Sequence, residues 1–177
     1  DTGAQLKKPV QLYIYASTQD LQGALIFPQE WTGGVAYSDY GTIAIGISTS
    51  NVNWGKRAIA HELSHLVTYQ MVFNPYNDLP TWLNEGLAMY AEGLLEASYA
   101  SYLKMAISTN SLISVRSLAS PFSAIPQLAT QSYAESFSIV EFLISQYGQE
   151  KMFALLNTFR QGSTPDGALV KVYGFDM

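Results

Sequence analysis

Short runs of alternating β-branched and aromatic residues mark the first fifty positions and predict strands. Three such runs stand out, at residues 11–15, 35–37 and 42–47. The last two flank Asp39-Tyr40-Gly41, which predicts a hairpin with a glycine-containing loop. Ser17, followed three residues later by Asp20, predicts the start of a short helix that reaches about Phe27. About residues 1–52 are therefore predicted to be mainly sheet.

From residue 53 onward, apolar residues recur every three or four positions, which predicts helices. The predicted helices span about 53–73, 80–92, 96–108, 130–147 and 149–160, and a last short one begins near Ser163-Thr164-Pro165. Gly148 separates the fourth helix from the fifth, and the Ser- and Pro-rich stretch 110–127 predicts a loop. We therefore expect one α+β domain over residues 1–177, with 53–177 mainly helical.

Composition excludes several functional classes. The net charge of −5 leaves no basic face for nucleic acid, and no run approaches the roughly 18 apolar residues that span a bilayer. The absence of cysteine rules out a thiolate metal site, disulfides and a cysteine nucleophile. Low charge and many hydroxyl residues favour an extracytoplasmic location, secreted or surface-anchored, and a chain that starts at Asp1 is expected to be a processed form or an excised piece.

The only two histidines of the chain lie four residues apart, in His61-Glu62-Leu63-Ser64-His65. On a helix this spacing puts both imidazoles on one side, where they can reach one metal ion. On a helical wheel the main apolar stripe, expected to face the core, consists of Ile59, Leu63, Val67 and Met71. Both histidines face away from it, which favours a cleft. A five-residue match also arises by chance, so the site needs further ligands.

A catalytic zinc site has three protein ligands and one open position. Because the chain has no other histidine and no cysteine, the third ligand has to be a carboxylate. The candidates are Asp78, in the loop after the motif helix, and Glu85, on the next helix. Gly86 costs a helix about 1 kcal/mol relative to alanine, so we expect another backbone to approach there, which favours Glu85. The alternative is that Glu85 is a solvated carboxylate near its helix N-terminus.

Two motifs, the HELSH string and the TWLNEGLAMYAEG string that begins at Thr81, resemble those of the gluzincins, zinc peptidases of the thermolysin-like clan. The WLNEGLA segment is most similar to small bacterial peptidase-MA-like domains, and a looser likeness covers about Val10 to Tyr173. The resemblance implies a thermolysin-like catalytic domain with a small twisted sheet over the HExxH helix and a helical C-terminal half. It also implies one catalytic Zn²⁺ held by His61, His65 and Glu85.

The resemblance implies zinc-dependent hydrolysis of peptide bonds, and we expect an endopeptidase. Glu62 is the expected general base, because it lies next to the first ligand and turns aside from it. Tyr133 is the expected donor to the oxyanion; the alternative is a core aromatic, because it shares a helix face with Phe137, Val140 and Ile144. Thermolysin-type enzymes carry an aspartate four residues after the glutamate ligand to orient a histidine, whereas Met89 stands there in this chain.

A peptide or protein substrate is expected to pair with an exposed strand edge through backbone hydrogen bonds. The predicted edge consists of Thr42, Ile43, Ala44, Ile45 and Gly46, because Gly46 and the small residues leave room for another backbone. The alternative is that this strand is internal. The alternative function is a catalytically weak module that binds peptides or proteins and retains zinc. A binding module needs no general base, so Glu62 argues against it.

Overall fold

The computed structural model describes residues 6, 8–26 and 33–177. It contains a three-stranded sheet made of β1 (Gln11–Tyr15), β2 (Gly34–Tyr37) and β3 (Thr42–Gly46). A 3₁₀ turn, Ser38–Tyr40, joins β2 to β3, and Gly41 completes the loop with a φ of 61°. A left-handed backbone of this kind favours glycine. All three predicted strands and the predicted hairpin are confirmed.

The third strand, β3, lies in the middle of the sheet. It pairs in parallel with β1 and antiparallel with β2, which gives the order β1-β3-β2. Ile43, Ala44 and Ile45 are only 1%, 6% and 0% exposed, so both faces of β3 are covered. The prediction that Thr42, Ile43, Ala44, Ile45 and Gly46 form an exposed edge is therefore wrong.

Gly46 does allow a close backbone approach, but the approaching backbone belongs to this chain. A Cβ atom placed on Gly46 would lie 2.5 Å from the carbonyl oxygen of Ser17. The start of the first helix therefore occupies the space that the sequence suggested for a substrate. Strand pairing is non-local, so an apolar run alone does not tell a central strand from an edge strand.

Among the described residues, one helix lies between β1 and β2, and seven follow the sheet with short connections between them. They are α1 (Thr18–Ala24), α2 (Val52–Val72), α3 (Thr81–Ala91), α4 (Ala97–Ser108), α5 (Val115–Leu118), α6 (Pro126–Tyr147), α7 (Gln149–Arg160) and α8 (Pro165–Tyr173). The fold is mixed α+β and mostly helical, as predicted. None of the described helices is both long enough and apolar enough to cross a membrane, which agrees with the prediction from composition.

Most of the helix starts and ends predicted from neighbouring residues in the sequence are confirmed. The Ser17 side chain accepts a hydrogen bond from the Asp20 amide at 3.0 Å and so caps α1, which ends at Ala24; Phe27 lies outside the described residues. Gly148 separates α6 from α7 with a φ of 83°. The loop predicted over 110–127 is wrong in part, because it contains α5 and the first turn of α6.

The sheet packs on α2 through β2 and β3. A Cβ atom on Gly55 of α2 would meet the side chain of Ile47 at 2.6 Å, so helix and sheet are in close contact there. On its other sides α2 packs against α3 and α7. The main apolar core lies among the helices, and its buried members include Trp82, Leu83, Leu118, Val140, Leu143, Leu155 and Phe159.

The apolar stripe predicted for α2 is only half-buried. Leu63, Val67 and Met71 line an open apolar groove of about 410 Å³ together with residues of α3 and α7. The buried residues of α2 are instead Gly55, Glu62, Leu66, Thr68 and Val72. The prediction of one core-facing stripe is therefore wrong, because α2 is covered by the sheet and by helices on different sides.

Gly86 of α3 marks a close approach of another backbone, as predicted, but the neighbour is α6 rather than α2. A Cβ atom on Gly86 would lie 2.5 Å from the Ser136 carbonyl oxygen and 2.7 Å from a methyl carbon of Val140. The glycine therefore lets α3 sit against α6 with Glu85 turned toward α2.

We predict that Gly86→Ala destabilises the fold, although alanine favours helices. The added methyl group overlaps backbone atoms of α6, and overpacking of this kind costs about 1–3 kcal/mol in the free energy of unfolding. Thermal or urea unfolding measures the effect. Gly23→Ala in α1 is the matched control, because no described atom outside the helix's own backbone and the neighbouring residues lies within 4 Å of a Cβ there, and it should leave stability unchanged or raise it. A Gly86→Ala protein as stable as wild type would contradict the packing described here.

Candidate metal centre

Two helices bring the three predicted ligands together. His61 and His65 lie one turn apart on α2 with ring centroids 4.9 Å apart, and Glu85 faces them from α3. Glu85 Oε2 lies 3.5 Å from His61 Nε2 and 3.6 Å from His65 Nε2. Among the described residues, this is the one group of three or more His, Asp or Glu side chains that is close enough to share an ion.

The donor set and its spacing fit a zinc ion. Ligand atoms that surround zinc tetrahedrally at about 2.0–2.2 Å lie about 3.3–3.6 Å from one another, which matches the two distances above. The three side chains are between 14% and 18% exposed, so the centre is shielded but open to a substrate. Asp78, the alternative ligand, is not part of the group and lines a neighbouring cleft.

The second nitrogen of each imidazole has its own partner, which the sequence analysis did not identify. His61 Nδ1 donates to Glu92 Oε1 at 2.8 Å, and His65 Nδ1 donates to Asn84 Oδ1 at 3.2 Å. Both Nε2 atoms therefore remain directed at Glu85. The sequence does contain a feature that could have indicated Glu92 as a partner. Glu92 follows Glu85 by seven residues, which is two helical turns along the same helix face.

Glu92 is itself part of a chain of charges. Arg57 lies one turn before His61 on α2, and its Nε is 4.0 Å from Glu92 Oε2. The same guanidinium donates to Glu96, the N-cap residue of α4. These contacts link His61 to Glu92 at the C-terminal end of α3 and, through Arg57, to Glu96 at the N-terminal end of α4.

Burial and neighbouring carboxylates set the electrostatics of the metal-free centre. Burial lowers the pKa of His61, but the hydrogen bonds to Glu85 and Glu92 outweigh it and raise this pKa to about 10. Burial lowers the pKa of His65, whose partner Asn84 carries no charge. His61 is therefore a cation at neutral pH when no metal is bound, and it occupies a strongly negative environment.

Glu62, the predicted base, is buried between α2 and β2. A Cβ atom placed on Gly34 would lie 2.8 Å from Glu62 Oε1, so the glycine leaves room for the carboxylate. Burial is the main cause that raises the pKa of Glu62 to about 7; the charge of His61 opposes this rise, and the charges of Glu85 and Glu92 add to it. The carboxyl group therefore lies beside the ligands without being one of them.

Tyr133, the predicted oxyanion donor, lies on α6 beside the metal ligands. Its ring is 6.5 Å from that of His61 and 5.1 Å from that of Phe122. It is half-buried and lines a pocket of about 300 Å³ that also includes Glu85. Burial, followed by the negative charge of Glu85, raises its pKa, so the phenol stays protonated. Phe137, which shares this helix face, is buried, whereas Tyr133 is only half-buried and lines the pocket.

A larger polar cleft of about 580 Å³ opens on the His65 side of the centre. Its walls come from the 3₁₀ turn, the end of α2 and the loop before α3, with Asp39, Tyr69 and Asp78 among them. The Tyr69 hydroxyl donates to Asp39 across the cleft. His65 lines this cleft and Glu85 lines the pocket beside Tyr133, so the group of three side chains borders both.

Comparison with known proteins identifies one family. The family model described as the peptidase MA superfamily matches residues 1–177. Neither a curated protein nor a solved structure gives a significant match to the chain. The family match covers the whole chain and so includes both helices that carry the three converging ligands. The chain therefore belongs to the peptidase MA superfamily.

Proposed function

We propose that the protein is a zinc metallopeptidase whose ion is held by His61, His65 and Glu85. The observation that carries this proposal is the convergence of two imidazole nitrogens and one carboxylate oxygen within 4.8 Å of one another. Membership of the peptidase MA superfamily supports peptide bonds as the target. Two histidines and one carboxylate, with a position left open, are a ligand set of catalytic zinc sites in peptidases.

Bound zinc supplies Lewis acidity, which polarises the scissile carbonyl and lowers the pKa of a water molecule to about 7. Glu62 then acts as the general base, taking up the proton of the attacking water and delivering it to the leaving amine. In the metal-free protein the pKa of Glu62 is raised to about 7, and a bound cation would lower it toward the ionised form that a general base needs. The buried position against Gly34 holds the carboxylate beside the ligands and limits its rotation.

Tyr133 donates a hydrogen bond to the oxygen that becomes negative in the tetrahedral intermediate. Its position in the pocket beside Glu85 and near the ring of His61 supports this role. Because its pKa is raised, the hydroxyl keeps its proton at neutral pH and remains a donor. A donor aimed at developing charge in a partly buried site acts more strongly than one in water.

With β3 internal, we assign substrate pairing to β2. The Gly46 amide donates to the Gly33 carbonyl at 3.0 Å, and alternation along an antiparallel ladder then turns the backbone groups of Gly34 and Ala36 away from β3. No strand among the described residues covers that edge. A peptide paired there passes Glu62 and can continue into the clefts on both sides, which suits an endopeptidase.

We predict that Glu62→Gln abolishes peptide cleavage while zinc content stays at one ion per chain. Glutamine keeps the size of the side chain but cannot take up a proton, and loss of a general base lowers rates by about 10²–10⁴-fold. The assay is cleavage of casein or a peptide library, with zinc measured on the same samples. Glu141→Gln, an exposed change on α6, is the control. Zinc-loaded wild type that cleaves nothing would favour the binding module, and an active Glu62→Gln would exclude Glu62 as the base.

We predict that Tyr133→Phe lowers kcat about 10²–10³-fold with little change in KM, because the lost donor acts mainly in the transition state. Steady-state kinetics on one cleaved peptide measures both constants. Tyr147→Phe, at the far end of the same helix, is the matched control and should behave as wild type. If kcat is unchanged in Tyr133→Phe, the tyrosine is a packing residue.

A further inference from the structure

The two histidines have hydrogen-bond partners of unlike charge. His61 Nδ1 donates to the carboxylate of Glu92 at 2.8 Å, whereas His65 Nδ1 donates to the neutral amide of Asn84 at 3.2 Å. Hydrogen bonds to an ionised acceptor are shorter and roughly twice as strong as those between neutral groups. The His61 ring is therefore held by a stronger hydrogen bond than the His65 ring, although both rings direct Nε2 at Glu85.

Glu92 is fixed at the end of α3. It is the C-cap residue, and its amide hydrogen-bonds to the carbonyl oxygens of Ala88 and Met89. Met89, which stands where thermolysin-type enzymes carry an orienting aspartate, is buried and apolar. Among the described residues, Glu92 is thus the carboxylate that bonds His61 Nδ1.

Arg57 holds the other side of Glu92. Its guanidinium lies between the carboxylates of Glu92 and Glu96, with Nε 4.0 Å from Glu92 Oε2 and a hydrogen bond to Glu96. The Nε atom is buried and makes no hydrogen bond within the described structure, and Glu92 is the carboxylate that lies on its side of the guanidinium. An arginine placed between two carboxylates restricts both of them.

We propose that Glu92 is a positioning residue for the metal centre, held by Arg57. It fixes the His61 ring with Nε2 toward Glu85, and its negative charge makes His61 a stronger electron donor than His65. The proposal rests on the zinc site of the proposed function, but not on peptide cleavage. Removing such a partner of a metal-bound histidine weakens metal affinity by about 10–100-fold.

The first test is the zinc dissociation constant of the full chain, measured by competition with a chromophoric chelator. In Glu92→Gln the dissociation constant should rise tenfold or more. Glu96→Gln is the matched control, because it makes the same chemical change next to Arg57 without touching His61, and it should shift the constant by less than about threefold. Equal affinities for Glu92→Gln and wild type, or equal losses in both variants, would overturn the proposal.

The second test uses the fact that the chain has only two histidines, which give two sets of imidazole signals in a ¹⁵N-histidine NMR spectrum. In the zinc-loaded wild type, the Nδ1 proton of His61 should resonate further downfield than that of His65. Glu92→Gln should move the His61 signal and leave the His65 signal in place. Two equivalent signals in wild type would overturn the proposal even if the variant failed to fold.

The outcomes also separate this proposal from the proposed function. Zinc-dependent cleavage by wild type, together with unchanged zinc affinity in Glu92→Gln, would overturn the role of Glu92 alone. A protein that binds zinc and shows the two unlike Nδ1 signals but cleaves no peptide would overturn the peptidase proposal alone.

Discussion

The candidate metal centre depends on the position of α3 between α2 and α6. Glu85 can face the histidines only because its neighbour Gly86 allows α3 to lie directly against the backbone of α6. On the same helix, Trp82 and Leu83 are fully buried in the helical core. Packing thus fixes how α3 is shifted along its axis and rotated about it, and this determines where the Glu85 carboxylate lies. A site built on packed helices in this way has its geometry set by the fold.

The centre also concentrates negative charge. Glu62, Glu85 and Glu92 all lie near His61, and Arg57 is the one arginine or lysine paired with them in the described structure. Burying carboxylates costs free energy unless a cation compensates them. In the metal-free protein His61 takes up part of that role, which is why its pKa rises. A divalent cation would compensate the same charges more completely, so ion binding and the attachment of α3 to α2 are coupled.

Local signals in the sequence predicted much of this arrangement. Some features depend only on neighbours within about one helical turn, so they can be predicted from the sequence. They are the spacing of His61 and His65, the helix cap at Ser17 and the helix end at Gly148. The order of the strands could not be predicted, because pairing β3 between β1 and β2 is a contact between distant segments. The role of Glu92 could not be predicted for the same reason. The sequence shows which helix face carries Glu92, but its hydrogen bond to His61 depends on how α2 and α3 cross.

The most direct measurement is a crystal structure of the protein with zinc, with anomalous diffraction recorded at the zinc absorption edge. We expect one anomalous peak about 2.0–2.2 Å from His61 Nε2, His65 Nε2 and a Glu85 carboxylate oxygen. A peak coordinated through Asp78 instead of Glu85, or zinc bound without either histidine, would contradict this expectation.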